Sequence, residues 1–270
     1  MFKESDTDSF PIFLGKGLWV VGNYYFNLYV VQGEQASALI EVGVSAVVDQ
    51  VIGQLQSLKI RPSFLVVTHP HADHLTGLDG LKEEYSEALV VAAEGASEFL
   101  AHPATAKAVV AEDRHMREFI ASRGIAVVRP PVKDPPSLDN CLIARDGDQM
   151  DLGGRTLRFI DATGHSPGTV VVHVPEINAL MLSDTLGFRF PGRGVMPVFF
   201  TGYREYLATI DRLQGLQPAV VGPAHQGPIT GPEVEAAFNE SRRAAEDLWQ
   251  RIRKDSRDEE EIAADLFREF

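Results

Sequence analysis

Residues 68–74 read Thr-His-Pro-His-Ala-Asp-His, which places three imidazoles and one carboxylate within six consecutive positions. Neutral imidazole and carboxylate are ligands that zinc, iron and manganese accept, so the segment has the composition of a metal site. The alternation of His69 and His71 on an extended segment would direct both rings to the same side. Asp73 and His74 turn away from that line and could hold a second ion beside the first. This crowding of donors predicts a binuclear centre.

Two ions need more donors than one loop supplies, and further candidates follow downstream. The apolar run 64–67 predicts a strand just before the first motif, and a helix is predicted from Thr76 to Leu81. Three later candidates also end or follow apolar runs of strand type; they are His165 after 157–160, Asp184 after 179–182 and His225 after 219–221. We therefore expect the ligands to sit at the ends of strands.

In this order, and across almost the whole chain, these segments resemble the motifs of the metallo-β-lactamase superfamily. The resemblance implies an α/β fold, a four-layer αββα sandwich, here with additional C-terminal helices. It also implies a set of metal ligands. His69, His71 and His165 would hold the first metal, and Asp73, His74 and His225 would hold the second. Asp184 would bridge the two metals.

The pattern resembles the glyoxalase II-like branch of that superfamily more than the true β-lactamases. In the zinc-dependent enzymes that matter for antibiotic resistance, a cysteine stands where this chain has Asp184, so hydrolysis of antibiotics is disfavoured. The long final helices and the segment 183–188 also resemble a signal-response group within the branch that has thioesterase-like chemistry. The resemblance thus implies a hydrolase.

Two cations would lower the pKa of a bridging water, give a hydroxide near neutral pH and polarise a substrate carbonyl. Catalysis would then rest on the metal-bridging hydroxide and on Asp73, which limits the charge of the site and orients that hydroxide. A thioester suits this chemistry because a thiolate leaves without a strong general acid. The loop after Asp184 is rich in apolar side chains, which predicts an apolar acyl group. Its candidate pocket residues are Phe188, Phe190, Met196, Phe199, Phe200 and Tyr203.

Other functions would use the same donors. A phosphodiesterase or a lactonase would employ the same hydroxide, and turnover of bis(p-nitrophenyl) phosphate well above that of thioesters would favour the phosphodiesterase. An iron persulfide dioxygenase would need one metal and would consume oxygen. A ligand-sensing or partner-binding protein would keep the metals for structure alone. The predicted cofactors are two divalent metal ions, zinc or iron, with manganese as a third option, because mixed sites accept all three.

The 270 residues, 44% of them hydrophobic, predict a single domain over residues 1–270 with residues 231–270 as a C-terminal helical extension. A formal net charge of −13 disfavours nucleic acid partners. Residues 1–6 lack a signal pattern and no apolar run reaches the length of a membrane span. We predict a cytoplasmic protein with a small-molecule substrate and no membrane partner. The lone Cys141 is interpreted as a partly buried thiol without a catalytic role.

The remaining chain predicts alternating strands and helices. Strands are expected at 18–21, 26–31, 38–40 and 90–93, and helices are expected from Ser45 and over 95–123 with a break near 102–103. Residues 130–136, rich in proline, predict a connector. Three further histidines are interpreted as ordinary hydrogen-bonded or exposed side chains, namely His102, His115 and His173.

The end of the chain carries two helix-start patterns. Residues 230–233 fit a capping box before a long amphipathic helix, and residues 256–259 predict the cap of a second helix. The second helix displays an apolar stripe made of Ile262, Leu266, Phe267 and Phe270. Such stripes pack on the sandwich, cover the cleft as a lid or form a homodimer contact. If both helices form the pocket wall, removal of residues 256–270 should loosen selectivity for the acyl group.

Overall fold

The structure is a computed structural model that describes residues 9–190 and 192–269. The absence of a signal pattern in residues 1–6 and the placement of Phe270 on the terminal stripe lie outside the described residues, and so does the side chain of Phe267. None of the helices within the described ranges is long and apolar enough to cross a membrane.

The first half of the chain forms one sheet with helices on one side of it. Its strands are β1 (Ile12–Gly15), β2 (Leu18–Gly22), β3 (Asn27–Gln32), β4 (Ser37–Ile40), β5 (Phe64–Val67), β6 (Leu89–Ala93) and β7 (Leu142–Ala144). Its helices are α1 (Val48–Ser57), α2 (Ala72–Leu75), α3 (Leu78–Glu84), α4 (Ala96–Leu100) and α5 (Pro103–Ser122), with a 3₁₀ turn at Ser45–Val47. The expected break between two helices at 102–103 is present, because Pro103 starts α5.

The second half repeats the plan with a second sheet and a different set of helices. Its strands are β8 (Gln149–Asp151), β9 (Thr156–Asp161), β10 (Val170–Val174), β11 (Ala179–Met181), β12 (Phe188–Phe190), β13 (Gly194–Met196), β14 (Val220–Gly222) and β15 (Ile229–Thr230). Its helices are α6 (Tyr203–Gln214), α7 (Glu233–Lys254) and α8 (Glu259–Glu269), with a 3₁₀ turn at Pro175–Ile177.

Strand pairing gives each sheet a simple order. The first sheet runs β1 to β7 in chain order, antiparallel from β1 to β4 and parallel from β4 to β7. The second has the order β15-β14-β11-β10-β9-β8, in which only the pair β11 and β14 is parallel. Strands β12 and β13 form a separate hairpin. Parallel pairs require crossover helices, and these helices cover the outer faces of the sheets.

Side chains on each strand alternate between two cores, as the period of a strand requires. On β3, Leu28 and Val30 pack with the first set of helices, whereas Tyr29 and Val31 pack between the two sheets. On β10, Val172 faces the first sheet, and its neighbour Val171 packs with α6 and α7. The two sheets lie face to face with helices on both outer surfaces. The predicted αββα sandwich is confirmed.

Two predicted helix starts shift by a few residues, whereas the third lies within its predicted range. The helix expected from Thr76 begins at Leu78 as α3, and a separate short helix, α2, precedes it at Ala72–Leu75. Thr230 does not cap α7, since it pairs with Val220 in the sheet and the chain turns at Gly231 before the helix begins at Glu233. In the second terminal pattern the capping side chain is Asp258, whose Oδ1 accepts the backbone N–H of Glu261 at 2.9 Å.

Candidate metal centre

All the predicted ligands lie in segments that follow strands of the sandwich. His69 and His71 follow β5, and helix α2 then turns Asp73 and His74 off that line. His165 follows β9, Asp184 follows β11 and His225 follows β14. These strands are mostly buried, and their pairing within the two sheets brings donors that are far apart in sequence to one end of the sandwich.

Glycine at position 164 allows the loop of His165 to pack closely against helix α6. Its φ is +107°, and a Cβ at this position would lie 2.3 Å from the backbone nitrogen of Tyr206. A side chain there would therefore clash with backbone atoms as well as strain the turn. The ring is held from its far side, because His165 Nδ1 donates to the carbonyl oxygen of Val198 at 2.8 Å.

The loop of His225 is fastened to the turn between β2 and β3. Asn27 N–H donates to the Ala224 carbonyl at 2.7 Å, and Gln226 N–H donates to the Tyr24 carbonyl at 2.7 Å. His225 Nδ1 donates to the carbonyl oxygen of Tyr25. These hydrogen bonds hold His225, which belongs to the second half of the chain, against the first half. They also leave Nε2 as the ring nitrogen that points into the donor cluster.

Three histidines form the first donor group. His69 Nε2 lies 3.0 Å from His71 Nδ1 and 3.2 Å from His165 Nε2. One proton cannot satisfy three ring nitrogens that converge on one another, because each nitrogen accepts or donates along its own lone-pair direction. A metal ion among them would use all three lone pairs, so this trio has the arrangement of a metal ligand set.

The second donor group combines two carboxylates and two histidines, and its members are Asp73, His74, Asp184 and His225. Asp184 Oδ2 lies 3.2 Å from His74 Nε2, and Asp184 Oδ1 lies 3.4 Å from His225 Nε2. Asp184 Oδ2 is also 3.9 Å from Nε2 of both His69 and His165. The carboxylate of Asp184 therefore lies between the two groups.

The orphaned ring nitrogens show that these residues suit a metal. The Nε2 atoms of His74 and His225 are buried and lack a hydrogen-bond partner within the described residues. Their Nδ1 atoms already donate elsewhere, so Nε2 is the nitrogen that each ring directs into the cluster and that can coordinate a cation once its proton has left. Buried polar atoms without partners are costly in a folded protein, and coordination to a cation would satisfy them. The site has donors positioned for metal binding.

Glu41 is a buried carboxylate beside the donor groups that the sequence interpretation missed. It is 2% exposed and follows β4 at a φ of +73°. Its Oε2 accepts from His74 Nδ1 at 3.0 Å, and its Oε1 accepts from the Thr68 hydroxyl at 2.8 Å. Thr68 Oγ1 in turn lies 3.2 Å from His69 Nδ1. One carboxylate thus orients a histidine of each donor group. The sequence did contain a signal for this residue, because Glu41 directly follows an apolar strand, as the predicted ligands follow theirs.

Three non-glycine residues beside the donors adopt left-handed backbone conformations, with φ values of +73° at Glu41, +53° at Ser183 and +66° at Gln226. Such conformations cost free energy, about 1–3 kcal/mol each, and persist where the surroundings determine them strongly. Ser183 immediately precedes Asp184, and Gln226 immediately follows His225. At these three of the eight left-handed non-glycine positions in the described residues, the backbone conformation helps to direct the side chains of the donor groups.

Burial keeps the first donor group neutral. It lowers the pKa of His71 to about 4, assisted by the neighbouring His165 ring, and it also lowers the pKa of His69 and His165. These three imidazoles are therefore neutral at pH 7. A neutral imidazole is the form that binds metal.

The second donor group holds protons when no metal is bound. Burial alone would lower the pKa of His225, but the carboxylates of Asp184 and Asp73 outweigh burial and raise that pKa to about 10. The same two carboxylates raise the pKa of His74 against the effect of burial. Burial alone would raise the pKa of Asp73 and Asp184. The nearby His74 imidazole outweighs burial and holds both pKa values well below the usual range.

Metal binding to the second group should therefore release protons, whereas binding to the first group should not. His225 is protonated below about pH 10 and the pKa of His74 is also raised, so affinity at their group should rise with pH between pH 6 and 9 by about tenfold per unit for each proton released. Affinity at the group of His71 should stay level above pH 5, because its pKa is already about 4. Calorimetric zinc titrations in two buffers of different ionisation enthalpy measure the protons released. Equal proton release from both groups would contradict this assignment.

An apolar cleft opens beside Asp184 and His225, with about 810 Å³ of space including the part open to solvent at its mouth. Its apolar lining residues come from the hairpin, the last loops and α7, and they include Tyr24, Leu186, Phe188, Val195, Ile229 and Ala237. Arg189 Nη1 pairs with Glu240 Oε2 at 2.8 Å, which ties the hairpin to α7. Its apolar walls and its position beside the donors suit the apolar part of a small molecule.

The predicted pocket residues occupy several places. Phe188 lines the cleft and lies 5.1 Å from His225 between ring centroids. Phe200 lies on the other side of the donors, beside His71 and His165. The other four do not line the cleft of the described structure: Phe190 and Met196 belong to the hairpin, Phe199 contacts Tyr206, and Tyr203 stacks on Trp249.

The terminal helices contribute unequally to the cleft. Helix α7 provides Glu233 and Ala237, whereas no described residue of α8 lines the wall. The expectation that removing residues 256–270 loosens acyl selectivity depended on both helices forming the wall. We now predict that this truncation leaves the ratio of rates for long and short acyl groups unchanged. Chain-length profiles of the full and truncated proteins measure that ratio, and a broadened profile would show that α8 reaches the substrate.

The other singled-out side chains lie apart from the donors. His102 is exposed and its Nδ1 accepts the Ala104 N–H at the start of α5. His115 is exposed, and His173 is buried on β10. Cys141 is half-buried, and burial raises the pKa of its thiol, which makes it a poor nucleophile at pH 7.

Comparison with known proteins agrees with this geometry. Residues 23–225 match the family model of the metallo-beta-lactamase superfamily. The chain is 27% identical over 173 residues to a hydroxyacylglutathione hydrolase of Parasynechococcus marenigrum, covering 64% of this chain and 49% of that protein. It is 26% identical over 225 residues to the acyl-coenzyme A thioesterase MBLAC2 of Gallus gallus, covering 75% of this chain and 74% of that protein.

Among solved structures, the metallo-beta-lactamase superfamily protein ST1585 from Sulfolobus tokodaii superposes with a TM-score of 0.63 at 24% identity, covering 85% of this chain and 86% of that chain. This similarity shows a common fold. The family match ends at the last predicted ligand, so α7 and α8 lie beyond it. Because the match covers most strands of both sheets and every predicted ligand, this chain belongs to the metallo-beta-lactamase superfamily.

Proposed function

We propose that this protein is a binuclear metal-dependent hydrolase of thioesters with an apolar acyl group. The observation that carries the proposal is the position of Asp184. Its two carboxylate oxygens face Nε2 of His74 and His225 at 3.2 and 3.4 Å, and the histidines of the other donor group begin 3.9 Å away. The apolar cleft opens beside the same carboxylate.

The proposed first metal is held by the three histidines, through His69 Nε2, His71 Nδ1 and His165 Nε2. The proposed second metal is held by Asp73, His74 and His225, with Asp184 as the bridge. When bound, such a metal pair supplies a water of lowered pKa and a Lewis acid for the substrate carbonyl. Zinc or iron fits these nitrogen and oxygen donors, and manganese is the third option.

The proposed catalytic role of Asp73 follows from its charge and position. It is a carboxylate at neutral pH, and its Oδ2 lies 3.2 Å from His74 Nε2 and 3.4 Å from His225 Nε2. A carboxylate accepts hydrogen bonds and donates none. Asp73 would therefore accept a hydrogen bond from the attacking water and direct its oxygen towards the carbonyl carbon.

The choice of a thioester rests on chemistry and on the relatives. A thiol is far more acidic than an alcohol, so a thiolate leaves without a strong general acid. Two relatives are a hydroxyacylglutathione hydrolase and an acyl-coenzyme A thioesterase. The cleft walls, which include Leu186, Phe188 and Val195, favour an apolar acyl group. We propose a small-molecule acyl thioester as substrate, with no nucleic acid or membrane partner.

Three further parts of the interpretation stay predictions. The chain is expected to be one domain over residues 1–270 with residues 231–270 as a helical extension. Its location is expected to be the cytoplasm. A homodimer contact remains one of the uses predicted for the terminal helices.

A panel of acyl thioesters tests the function directly. The protein, loaded in turn with zinc, iron and manganese, is incubated with acetyl, butyryl and octanoyl thioesters, and release of free thiol is followed with a thiol reagent. We expect release that depends on metal and increases with acyl length. Absence of thiol release with verified metal occupancy would reject the thioesterase. Faster turnover of bis(p-nitrophenyl) phosphate than of any thioester would favour the phosphodiesterase.

A further inference from the structure

Two aromatic side chains flank the donor cluster, one beside each donor group. The Phe188 ring centroid lies 5.1 Å from that of His225, in the group that contains the two carboxylates. The Phe200 ring centroid lies 6.1 Å from that of His71 and 5.5 Å from that of His165, in the all-histidine group. The donors thus lie between two apolar surfaces of different character.

The surface at Phe188 is the wall of an enclosed cleft. The hairpin of β12 and β13 closes one side, and the pair formed by Arg189 and Glu240 holds this hairpin against α7. Ala237 on α7 and Ile229 on β15 complete the apolar lining. A chain of methylene groups that enters this cleft would have most of its surface removed from contact with water.

The surface at Phe200 is open. Its side chain is 70% exposed, and Phe99, whose ring lies 6.3 Å from His71, provides a second aromatic ring at the same side. A ligand could contact these rings with one face and keep its other face in water. This surface would accept a group that carries charge, because the charges need not be desolvated.

These two surfaces orient the substrate. We infer that the acyl chain occupies the cleft beside Phe188 and that the thiol-bearing arm extends across Phe200 to solvent. This inference rests on the proposed thioesterase function. The two substituents of a thioester carbonyl diverge from its carbon, so each must leave the donors on its own side. The apolar acyl chain gains most from the enclosed cleft. The common biological thiol carriers are charged and water-soluble, and they suit the open side.

Each aromatic residue should therefore control a different half of the substrate. Phe188→Ala should lower the ratio of kcat/KM for octanoyl over acetyl thioesters by about tenfold, because an aromatic contact to the distal methylenes is lost. It should leave the order of preference among carriers unchanged. Phe200→Ala should change the preference among coenzyme A, glutathione and N-acetylcysteamine esters of one acyl group by about threefold or more, with the acyl-length ratio intact.

A binding measurement separates this inference from the proposed function. Calorimetry with the non-hydrolysable thioethers S-octyl-coenzyme A and S-methyl-coenzyme A reports which variant weakens the contribution of the octyl chain. We expect that contribution to fall in Phe188→Ala and to persist in Phe200→Ala. If the wild type hydrolyses no thioester, the proposed function fails, and this measurement still decides where the apolar chain binds.

Two outcomes would overturn the orientation. One is the reverse pattern, in which Phe200→Ala changes acyl-length selectivity and Phe188→Ala changes carrier preference. The other is a pair of folded, metal-loaded variants that alter neither property. Phe188→Leu provides a check on folding, because it keeps an apolar side chain in the wall and should retain part of the length selectivity.

Discussion

Asp184→Asn is expected to reduce thioester hydrolysis by roughly 10³-fold or more, since several kcal/mol of transition-state stabilisation depend on the metal pair. The reason for this loss is the position of the Asp184 side chain between the two donor groups. The carboxylate of Asp184 faces His74 and His225 in one donor group and lies 3.9 Å from His69 and His165 in the other. An amide of the same size removes a negative charge from both positions at once. Metal content by elemental analysis and kcat/KM with a butyryl thioester should fall together.

Cys141→Ser provides the matched control for Asp184→Asn. The thiol is half-buried and lies apart from the donor loops, so its replacement should leave metal content and turnover within about twofold of wild type. If Asp184→Asn retains two metals and full activity, the bridge assignment is wrong. If Cys141→Ser loses activity, the thiol has a role that this site does not explain.

Glu41→Gln should weaken metal binding by about 10- to 100-fold, the range typical of residues that orient ligands without touching the metal. Glu41 accepts from His74 directly and from His69 through Thr68. Glutamine has a single acceptor oxygen, so one of these two contacts must be lost or reversed. Because both side chains have the same shape, the left-handed backbone at this position, with φ +73°, should be equally strained in the variant.

Competition with a fluorescent zinc chelator measures this loss of affinity. Glu94→Gln is the control, because it removes the same charge from an exposed carboxylate that pairs with Arg145. Glu94→Gln should bind metal as the wild type does. Wild-type affinity in Glu41→Gln, in a protein whose melting temperature is unchanged, would show that the histidines are aligned without this carboxylate.

The sequence pattern predicted the donor loops well because strand ends are local features. Apolar runs before His69, His165, Asp184 and His225 all became strands, and the structure places the side chains after them at one end of the sandwich. The rule that ligands follow strands therefore indicated that these four segments come together, although it was not applied to Glu41, which also follows a strand.

Contacts between distant segments could not be predicted in the same way. Glu41 meets His74 across 33 positions of the chain, and nothing in the sequence specifies that pairing. The aromatic loop shows the same difficulty. Phe188, Phe199 and Tyr203 have similar local surroundings in sequence, but the hairpin turns Phe188 into the cleft, whereas the start of α6 packs Tyr203 on Trp249.

Helix starts were predicted imperfectly because neighbouring elements compete for the same residues. Thr230 is a suitable capping residue, but its backbone pairs with Val220 in the second sheet. The helix therefore begins after Gly231 has turned the chain, and Thr230 plays no part in its cap. Tertiary pairing overrode a local preference.

Stepwise metal reconstitution with simultaneous thiol detection tests the binuclear thioesterase most directly. Metal-free protein is titrated with zinc, and hydrolysis of an octanoyl thioester is measured at each addition. Activity should rise to a plateau at about two equivalents per chain, because two donor groups share Asp184. A plateau at one equivalent, or full metal loading without release of thiol, would contradict the proposal.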